Sequence, residues 1–382
     1  MNYINYGRQL ISGEDIEKVV DVLRSDFLTQ GHQTLKFEED LSIKFEAPFS
    51  VAVNSATSGL HIACIALGLG PGDIAWTVPN TFVASANAIL MTGAKVDFVD
   101  IDLDSHALCL SELRCKLESA RSNNLLPKVV IPVHFSGAAI DMASLNELSR
   151  EFGFKVIEDA SHAVGASYVC GARVGSCVYS DLTVFSFHPV KIITTGEGGA
   201  VLTKSPELYD RLVKLRSHGV TRDMSTFVEK GYPDWYYEQH ELGYNYRMTD
   251  IQAALGRSQL KKTFDFIQKR LEVVDFYERN LDSIKILKPK LNHRSSWHLY
   301  VIRLENSITR DKCFREARAA QIGVNVHYFP VHLQPYYRNL GFKDGDFPCS
   351  ERYGQSCLTL PIHPALSEED LMRVVNVINE NA

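Results

Sequence analysis

The sequence has no run of continuous apolar residues long enough to cross a bilayer, which takes about 20 in a helix. Its opening, MNYINYGRQLISGEDIEKVV, lacks a basic segment followed by an apolar one, so no export signal is expected there. The expectation is a cytoplasmic protein with no membrane partner. An excess of positive charge is missing too: 40 Lys and Arg stand against 46 Asp and Glu, a formal net charge of −6. That balance gives no general field for a polyanion, so no nucleic acid is expected, while a local pocket for a small anion stays open. The eight cysteines are scattered, with no CxxC pair and no close histidine spacing, which argues against a disulfide framework and against a metal site. Internal repeats, low-complexity tracts and flexible linkers are absent as well.

What is present is core-forming material. With 382 residues and 45% hydrophobic content the chain can bury a large core, and one large domain plus a smaller one is the natural division. In ISGEDIEKVVDVLRSD, Ser12 is a candidate N-cap with Asp15 three residues on, and Ile16, Val19, Val20 and Leu23 follow at helical spacing. FSVAVNSATSGLHIACIALGLG reads as a strand over 49–53, a polar turn and a helix. Further strands are expected in DIAWTVP, KVDFVDID, KVVIPVHF, FKVIEDA, DLTVFSFH and GAVLTK, with helices such as MASLNELSREFG between several of them. Short apolar strands alternating with helices predict an α/β fold, a mostly parallel sheet covered on both faces. A long helical stretch begins near Met248 and runs through KKTFDFIQKRLEVVDFYERN. Beyond 294 come HLYVIRL, a helix around Arg315, the strand-like IGVNVHYF and a terminal helix after Ser367, which suit a smaller α+β domain. The expected division is 1–255 for the large domain and 256–382 for the small one.

Open parallel sheets place their chemistry beyond the carboxyl ends of the strands. Four such ends carry reactive residues. Asn54-Ser55-Ala56-Thr57-Ser58-Gly59 starts a helix with free N–H groups and hydroxyls, which suits a phosphate or simply a well-capped helix. VIEDASHA ends a strand with Glu158 and Asp159 and continues to His162; a carboxylate buried there needs a cation, or it serves as a cap. In TVPNTFVASANAI, Phe82 follows a strand and opens an apolar helix, as a stacking platform or as core. VFSFHPVKIITTGEGG runs an apolar strand holding Ser186 into Lys191 and a Thr/Gly loop, where a lone lysine is ordinarily solvated.

Taken singly, each stretch leaves both explanations open. Together they fit around one molecule, pyridoxal 5'-phosphate. Lys191 would form a Schiff base with its aldehyde, Asp159 would pair with the protonated ring nitrogen, and Phe82 would cover the ring face. Ser186, Thr57 and the Ala56-Thr57 backbone would take the phosphate. The released lysine amine, its pKa lowered by burial, would carry the proton between the amine-bearing carbon and the cofactor.

Those residues bring a resemblance into view. SDFLTQG, NSATSGLHIACIALGLGPGD, PNTFVASANAI, VIEDASHAVGA, FSFHPVKIITTGEGGA, LRSHGVTRD, LGYNYRMTDIQAALG and GVNVHYFPVHLQPYY resemble, in order and over nearly the whole chain, the DegT/DnrJ/EryC1/StrS sugar aminotransferases. The resemblance implies the PLP-dependent transferase fold type I, like aspartate aminotransferase. It assigns Lys191 and Asp159 as catalytic residues, and gives the cofactor Ala56, Thr57, Phe82, His162 and Ser186. It also implies Asn245, reaching the phosphate of a neighbouring subunit's cofactor, and hence a homodimer with shared active sites. Asn245 could equally cap the helix MTDIQAALG. Around the substrate the resemblance places Tyr6, Thr29, Arg247, His327 and Tyr328.

Within the family the combination of YGRQ, SDFLTQG, PVHFSG and WYYEQHELGYNYRMTD is most similar to members that aminate C4 of UDP-2-acetamido-2,6-dideoxy-β-L-arabino-hexos-4-ulose with L-glutamate, a step toward pseudaminic acid. Another nucleotide-linked 4-keto sugar is the alternative, and a non-catalytic nucleotide-sugar-binding protein a further one. Lys191, where some relatives carry a histidine and remove a hydroxyl, speaks against the dehydratase variant. The segment TRDMSTFVEKGYPDWYYEQ reads as a mobile active-site loop.

Overall fold

A computed structural model describes residues 2–290 and 294–382. Seven strands build the central sheet: β1 (Phe49–Val53), β2 (Ile74–Thr77), β3 (Lys95–Phe98), β4 (Val129–Val130), β5 (Lys155–Asp159), β6 (Leu182–Ser186) and β7 (Gly199–Thr203). Their order is β1-β7-β6-β5-β4-β2-β3, with β7 antiparallel to both neighbours and every other pairing parallel. The carboxyl ends of β1, β5 and β6 therefore share one edge with the amino end of β7. Alternation along the strands divides the core between two faces. Ala52, Val156, Phe185 and Leu202 join one apolar cluster, while Val51, Ile157, Val184 and Val201 join another. A sheet buried on both sides explains why VFSF and GAVLT read as continuous apolar runs.

Helices cover both faces. α1 (Gly13–Leu23) and α2 (His32–Phe45) precede the sheet; α3 (Ala56–Ala66), α4 (Ala84–Leu90), α5 (Leu110–Ser122), α6 (Met142–Phe152) and α7 (Pro206–Arg216) follow its strands. Ser12 caps α1 and Asp15 reaches back to complete a capping box, as the spacing predicts. The helical stretch after Met248 is two helices, α8 (Asp250–Lys261) and α9 (Thr263–Asn280), which meet at Lys262. A short pair, β8 (Val220–Thr221) and β9 (Glu238–Gln239), brackets the segment read as a loop. Between them Val228 and Trp235 are exposed.

The rest of the chain adds β10 (Tyr300–Arg303) antiparallel to β11 (Cys357–Leu360), with α10 (Ser307–Ala319), α11 (Pro335–Arg338), α12 (Pro348–Ser356) and α13 (Glu368–Asn381). Its own apolar cluster joins Val273, Val274 and Tyr277 of α9 to β10, β11, α10 and α13, and takes in Ile4 from the other end of the chain. Phe266, earlier on α9, belongs to the large cluster, so the two cores part within that helix. The expected strand in IGVNVHYF is not formed: isolated bridges Ile4↔Ile322 and Asn325↔Thr359 hold the segment instead. Its apolar alternation serves a coil that faces the small core on one side and a cavity on the other. All eight cysteines are free, and no group of metal-ligating side chains exists among the described residues. No helix of the described chain is long and apolar enough to cross a membrane.

Candidate active site

The shared sheet edge opens into a cavity of about 690 Å³. Ten of the expected site residues line it: Ala56, Thr57, Phe82, Asp159, His162, Ser186 and Lys191, together with Tyr6, His327 and Tyr328. Each is brought there by local structure that the sequence encodes.

Ser55 ends the turn after β1, and its hydroxyl accepts the N–H of Ser58, so α3 is capped by a residue that leaves its first turn open. The N–H groups of Ala56 and Thr57 then have no acceptor among the described residues, the usual state of a helix start that holds an anion. Gly199 pairs with both Val53 and Ser186. A Cβ at Gly199 would lie 2.7 Å from the Ala56 nitrogen and 2.8 Å from the Phe185 oxygen, so only glycine lets β7 pass this close to the turn.

The loop from Phe187 to Gly198 answers why threonines and glycines follow the lysine. Thr194 Oγ1 donates to the Phe187 carbonyl at 3.0 Å and accepts the Gly196 N–H at 2.9 Å, while Thr195 Oγ1 donates to the Glu197 carbonyl at 2.6 Å. Gly196 supplies a left-handed φ of 81°. Ile192 and Ile193 are buried beneath, so the loop is pinned on both sides and Lys191 faces the cavity. The lysine amine has no hydrogen-bond or ion-pair partner among the described residues. Burial brings its pKa down to about 8, against the opposing pull of Asp159.

Asp159 is the last residue of β5 and is buried. Ser85 Oγ donates to its Oδ2 at 2.6 Å and the Ser161 N–H to its Oδ1 at 3.1 Å. Ser85 in turn shares a 2.9 Å hydrogen bond with Thr81, so the start of α4 orients the carboxylate. Phe82 stands 60% exposed at the rim, an aromatic face open to a ligand rather than a core side chain. His162 Nε2 meets the Tyr328 hydroxyl at 3.2 Å, while its Nδ1 is buried without a partner. Tyr328 is held by its own N–H, which donates to Asn80 Oδ1 at 3.1 Å. His327 Nδ1 lies 2.8 Å from Thr359 Oγ1. Burial, with Lys191 next, pushes His162 well below its ordinary range and His327 to about 3, so both imidazoles are neutral near pH 7.

Three expected residues lie outside the cavity. Asn245 is exposed and bridges to Ser217; Arg247 bridges to Val53, and Thr29 to Thr249. Asn245 does not cap α8, a task that falls to Thr249. Asn245 and Arg247 lie against the end of β1 and the turn after it, where Asn54 Nδ2 donates to the Asn245 carbonyl at 3.4 Å. Sequence reasoning missed Ser85, His188, Glu197, His298, Asn325, Phe329 and Gln334. All but Ser85 line the cavity, and Ser85 acts through Asp159. Ser85 sits three residues after Phe82 with no signature of its own; His298 lay in a segment legible only as strand.

The residues fit pyridoxal 5'-phosphate. An unpartnered amine of lowered pKa, a buried carboxylate fixed by two donors, an open helix start beside Ser186 and an exposed aromatic ring surround one space, and each matches a different part of that molecule. Comparison with known proteins agrees. The model of the DegT/DnrJ/EryC1/StrS aminotransferase family matches residues 9–379. A UDP-4-amino-4,6-dideoxy-N-acetyl-β-L-altrosamine transaminase of Campylobacter jejuni is 35% identical over 96% of this chain and 94% of its own. A UDP-4-amino-4-deoxy-L-arabinose–oxoglutarate aminotransferase of Shewanella sediminis is 34% identical over 98% of this chain and 96% of its own. Among solved structures, Helicobacter pylori PseC, an aminotransferase involved in the biosynthesis of pseudaminic acid, superposes with a TM-score of 0.90 at 30% identity, covering 100% of this chain and 99% of that one. Streptococcus pneumoniae Spr1654, 31% identical with a TM-score of 0.87 over 100% of both chains, has been solved in a PLP form. The chain therefore belongs to the DegT/DnrJ/EryC1/StrS aminotransferase family and is a PLP-dependent aminotransferase of fold type I.

Proposed function

We propose that the chain moves an amino group from L-glutamate to the C4 ketone of UDP-2-acetamido-2,6-dideoxy-β-L-arabino-hexos-4-ulose, giving UDP-4-amino-4,6-dideoxy-N-acetyl-β-L-altrosamine. The observation that carries the aminotransfer is the convergence of Lys191 and Asp159, from adjacent strand ends, on one cavity. Pyridoxal 5'-phosphate, when bound, supplies the aldehyde that carries the amino group and a ring that accepts an electron pair. Lys191, with a pKa of about 8, holds roughly a tenth of its amine neutral at pH 7 and can take a proton from one carbon and return it to another. Ser85 and Ser161 hydrogen-bond the Asp159 carboxyl group and orient it in the cavity wall. Ala56, Thr57 and Ser186 hold the phosphate, Phe82 and His162 flank the ring, and Tyr6, His327 and Tyr328 meet the sugar.

The Campylobacter and Helicobacter relatives support the sugar, and the Shewanella relative, named an oxoglutarate aminotransferase, supports the glutamate donor. The 34% identical relative named for an amino-arabinose favours a second reading, a different UDP-linked 4-keto sugar with the same donor pair. In either reading Asn245, Arg247 and Thr29 serve a partner subunit's cavity, in a homodimer with shared sites. A mobile loop over 221–239 and the division at 255 belong to this reading as well. Loading the enzyme with L-glutamate and then offering a panel of nucleotide-linked 4-keto sugars tests it, with the product identified by mass. Amination of the L-arabino-hexosulose at least about tenfold faster than of the others supports the first reading; preference for a pentosulose selects the second, and no amination of any panel member contradicts both.

A further inference from the structure

The loop that joins β2 to α4, residues 78–83, holds two parts of the cavity wall that lie far apart in the sequence. Within it Thr81 shares its hydrogen bond with Ser85, which donates to Asp159. The Pro79 carbonyl accepts the Val331 N–H at 2.9 Å, and Asn80 Oδ1 accepts the Tyr328 N–H at 3.1 Å. Asn80 is 1% exposed, and its Nδ2 donates to the His106 carbonyl at 2.9 Å. Both ends of this buried amide are therefore paired, and its orientation is fixed: turned over, its NH2 would face the Tyr328 N–H and its oxygen the His106 carbonyl.

Asn80 thus fixes the main chain of Tyr328 where that residue enters the cavity. Gly354 of α12 packs against the same segment: a Cβ there would lie 2.8 Å from Pro330 Cδ and 3.1 Å from the Tyr328 carbonyl oxygen. With its backbone held by Asn80 and backed by α12, the Tyr328 ring lies 19° from the plane of His162 at a centroid distance of 6.3 Å, and meets Phe135 edge-on at 6.1 Å. Its hydroxyl is 3.2 Å from His162 Nε2. One loop orients Asp159 through Ser85 and Tyr328 through Asn80.

We propose that Asn80 is a positioning residue for the sugar half of the transfer: it holds Tyr328 in register with Asp159, so that the side chain meeting the sugar keeps a fixed place relative to the carboxylate serving the cofactor. The inference rests on the proposed role of Tyr328 as a sugar contact. Asn80 does not line the cavity itself and acts through Tyr328, which does. Truncating Asn80 leaves the Tyr328 N–H and the His106 carbonyl without this partner, and the 328–331 segment keeps its link to Pro79 but loses the one at Tyr328. Ala56, Thr57, Ser186 and Lys191 stand on other elements, so the loss falls on the sugar and not on the cofactor phosphate or the Schiff base.

The test is a double-mutant cycle on the full, cofactor-loaded chain, Asn80→Ala against Tyr328→Phe, with each half-reaction followed separately by absorbance. The sugar is the panel member that the wild type aminates fastest. Asn80→Ala is expected to lower kcat/KM for that sugar about tenfold, mainly through KM, and to leave the glutamate half-reaction within about twofold of wild type. Affinity for pyridoxal 5'-phosphate, read by equilibrium dialysis, is expected to stay unchanged. In the Tyr328→Phe background the same substitution should cost about twofold or less, because the hydroxyl it displaces is already gone. Equal losses in both half-reactions, or a full loss that persists in the Tyr328→Phe background, overturn the inference. If Asn80→Ala fails to fold by circular dichroism, Asn80→Ser takes its place in the cycle. Nuclear magnetic resonance of the chain carrying isotope-labelled histidine gives a readout that needs no sugar. The His162 ring signal, identified by its loss in His162→Gln, should move in Asn80→Ala in the direction it moves in Tyr328→Phe, and an unmoved signal overturns the inference. A wild type that aminates no sugar, with a His162 signal that answers to Asn80, keeps the positioning of Tyr328 and removes the sugar reading.

Discussion

Glu158 and Asp159 are consecutive on β5, and the pleat sends their carboxylates to opposite surroundings. Glu158 is enclosed by His134 Nε2 at 2.6 Å, the Tyr168 hydroxyl at 2.5 Å, Thr183 Oγ1 at 3.0 Å and the Ser180 hydroxyl. Burial pushes its pKa up, and these donors more than reverse that, leaving it below the ordinary value. Asp159 meets two donors among the described residues and faces the cavity. One carboxylate holds the ends of β4, β5 and β6 together; the other is free for chemistry.

The pair predicts opposite phenotypes. Asp159→Asn should fold with near wild-type stability and lose about 10²- to 10⁴-fold in kcat. Glu158→Gln should lose stability, by about 1–3 kcal/mol, because its donors are left facing a neutral amide. Thermal melts and steady-state kinetics on both variants check this; equal loss of activity with equal stability would remove the distinction. Ser85→Ala, which frees one oxygen of Asp159, should lie between, at about tenfold in kcat.

A second prediction follows from the pKa of about 8 at Lys191. The amine works as a base only when neutral, so any rate limited by it rises with pH and levels off above about 8. For folding the sign is the same. The folded pKa lies below the unfolded value of 10.5, so unfolding takes up a proton between about 8 and 10.5, and the lysine's unfavourable contribution fades as pH rises through that window. A stability difference between wild type and Lys191→Met that does not change between pH 7.5 and 10 would contradict it.

Gly199 carries a third. In Gly199→Ala the new Cβ meets the Ala56 nitrogen and the Phe185 oxygen inside normal contact distance, so β7 or the phosphate-facing turn must move. Affinity for pyridoxal 5'-phosphate should weaken about tenfold, read by equilibrium dialysis, while the secondary structure seen by circular dichroism persists. Unchanged affinity would mean the turn does not hold the phosphate.

The N-terminal helix gives a fourth. Asp15, buried on α1, receives Lys262 Nζ at 2.8 Å and Gln259 Nε2 at 2.9 Å. Burial raises its pKa, but Lys262 and the other donors outweigh that and take it to about 2. The folded value is depressed, so the stabilisation is complete above the unfolded value of 3.8 and is lost as pH falls toward about 2. Asp15→Asn should cost on the order of 1–2 kcal/mol at pH 7 and nothing near pH 2, as measured by urea denaturation.

Much of this was legible in the sequence because it rests on local rules. Short apolar runs marked the strands, Ser12 announced its helix by the spacing to Asp15, and strand-end chemistry gathered Ala56, Thr57, Asp159, Ser186 and Lys191. Non-local contacts were not legible. Ser85 matters only because its hydroxyl reaches Asp159 on β5, and His298 only because the fold brings its segment to the cavity wall. IGVNVHYF alternates like a strand but finds no partner beyond isolated bridges, and nothing in its own residues could say so. Thr29, Asn245 and Arg247 entered through family resemblance, and in one chain they stand outside the cavity.

The central claim is that Lys191 and Asp159 run a transamination on bound pyridoxal 5'-phosphate. Its most direct test is the absorbance spectrum of the purified protein above 300 nm, before and after L-glutamate, beside Lys191→Ala. The account predicts a visible band in the wild type that glutamate converts to the shorter-wavelength band of the amine form, that a nucleotide-linked 4-keto sugar restores, and that Lys191→Ala does not cycle. A wild-type protein that binds no cofactor, or binds it and gives no amine form with glutamate or any other amino acid, would contradict it.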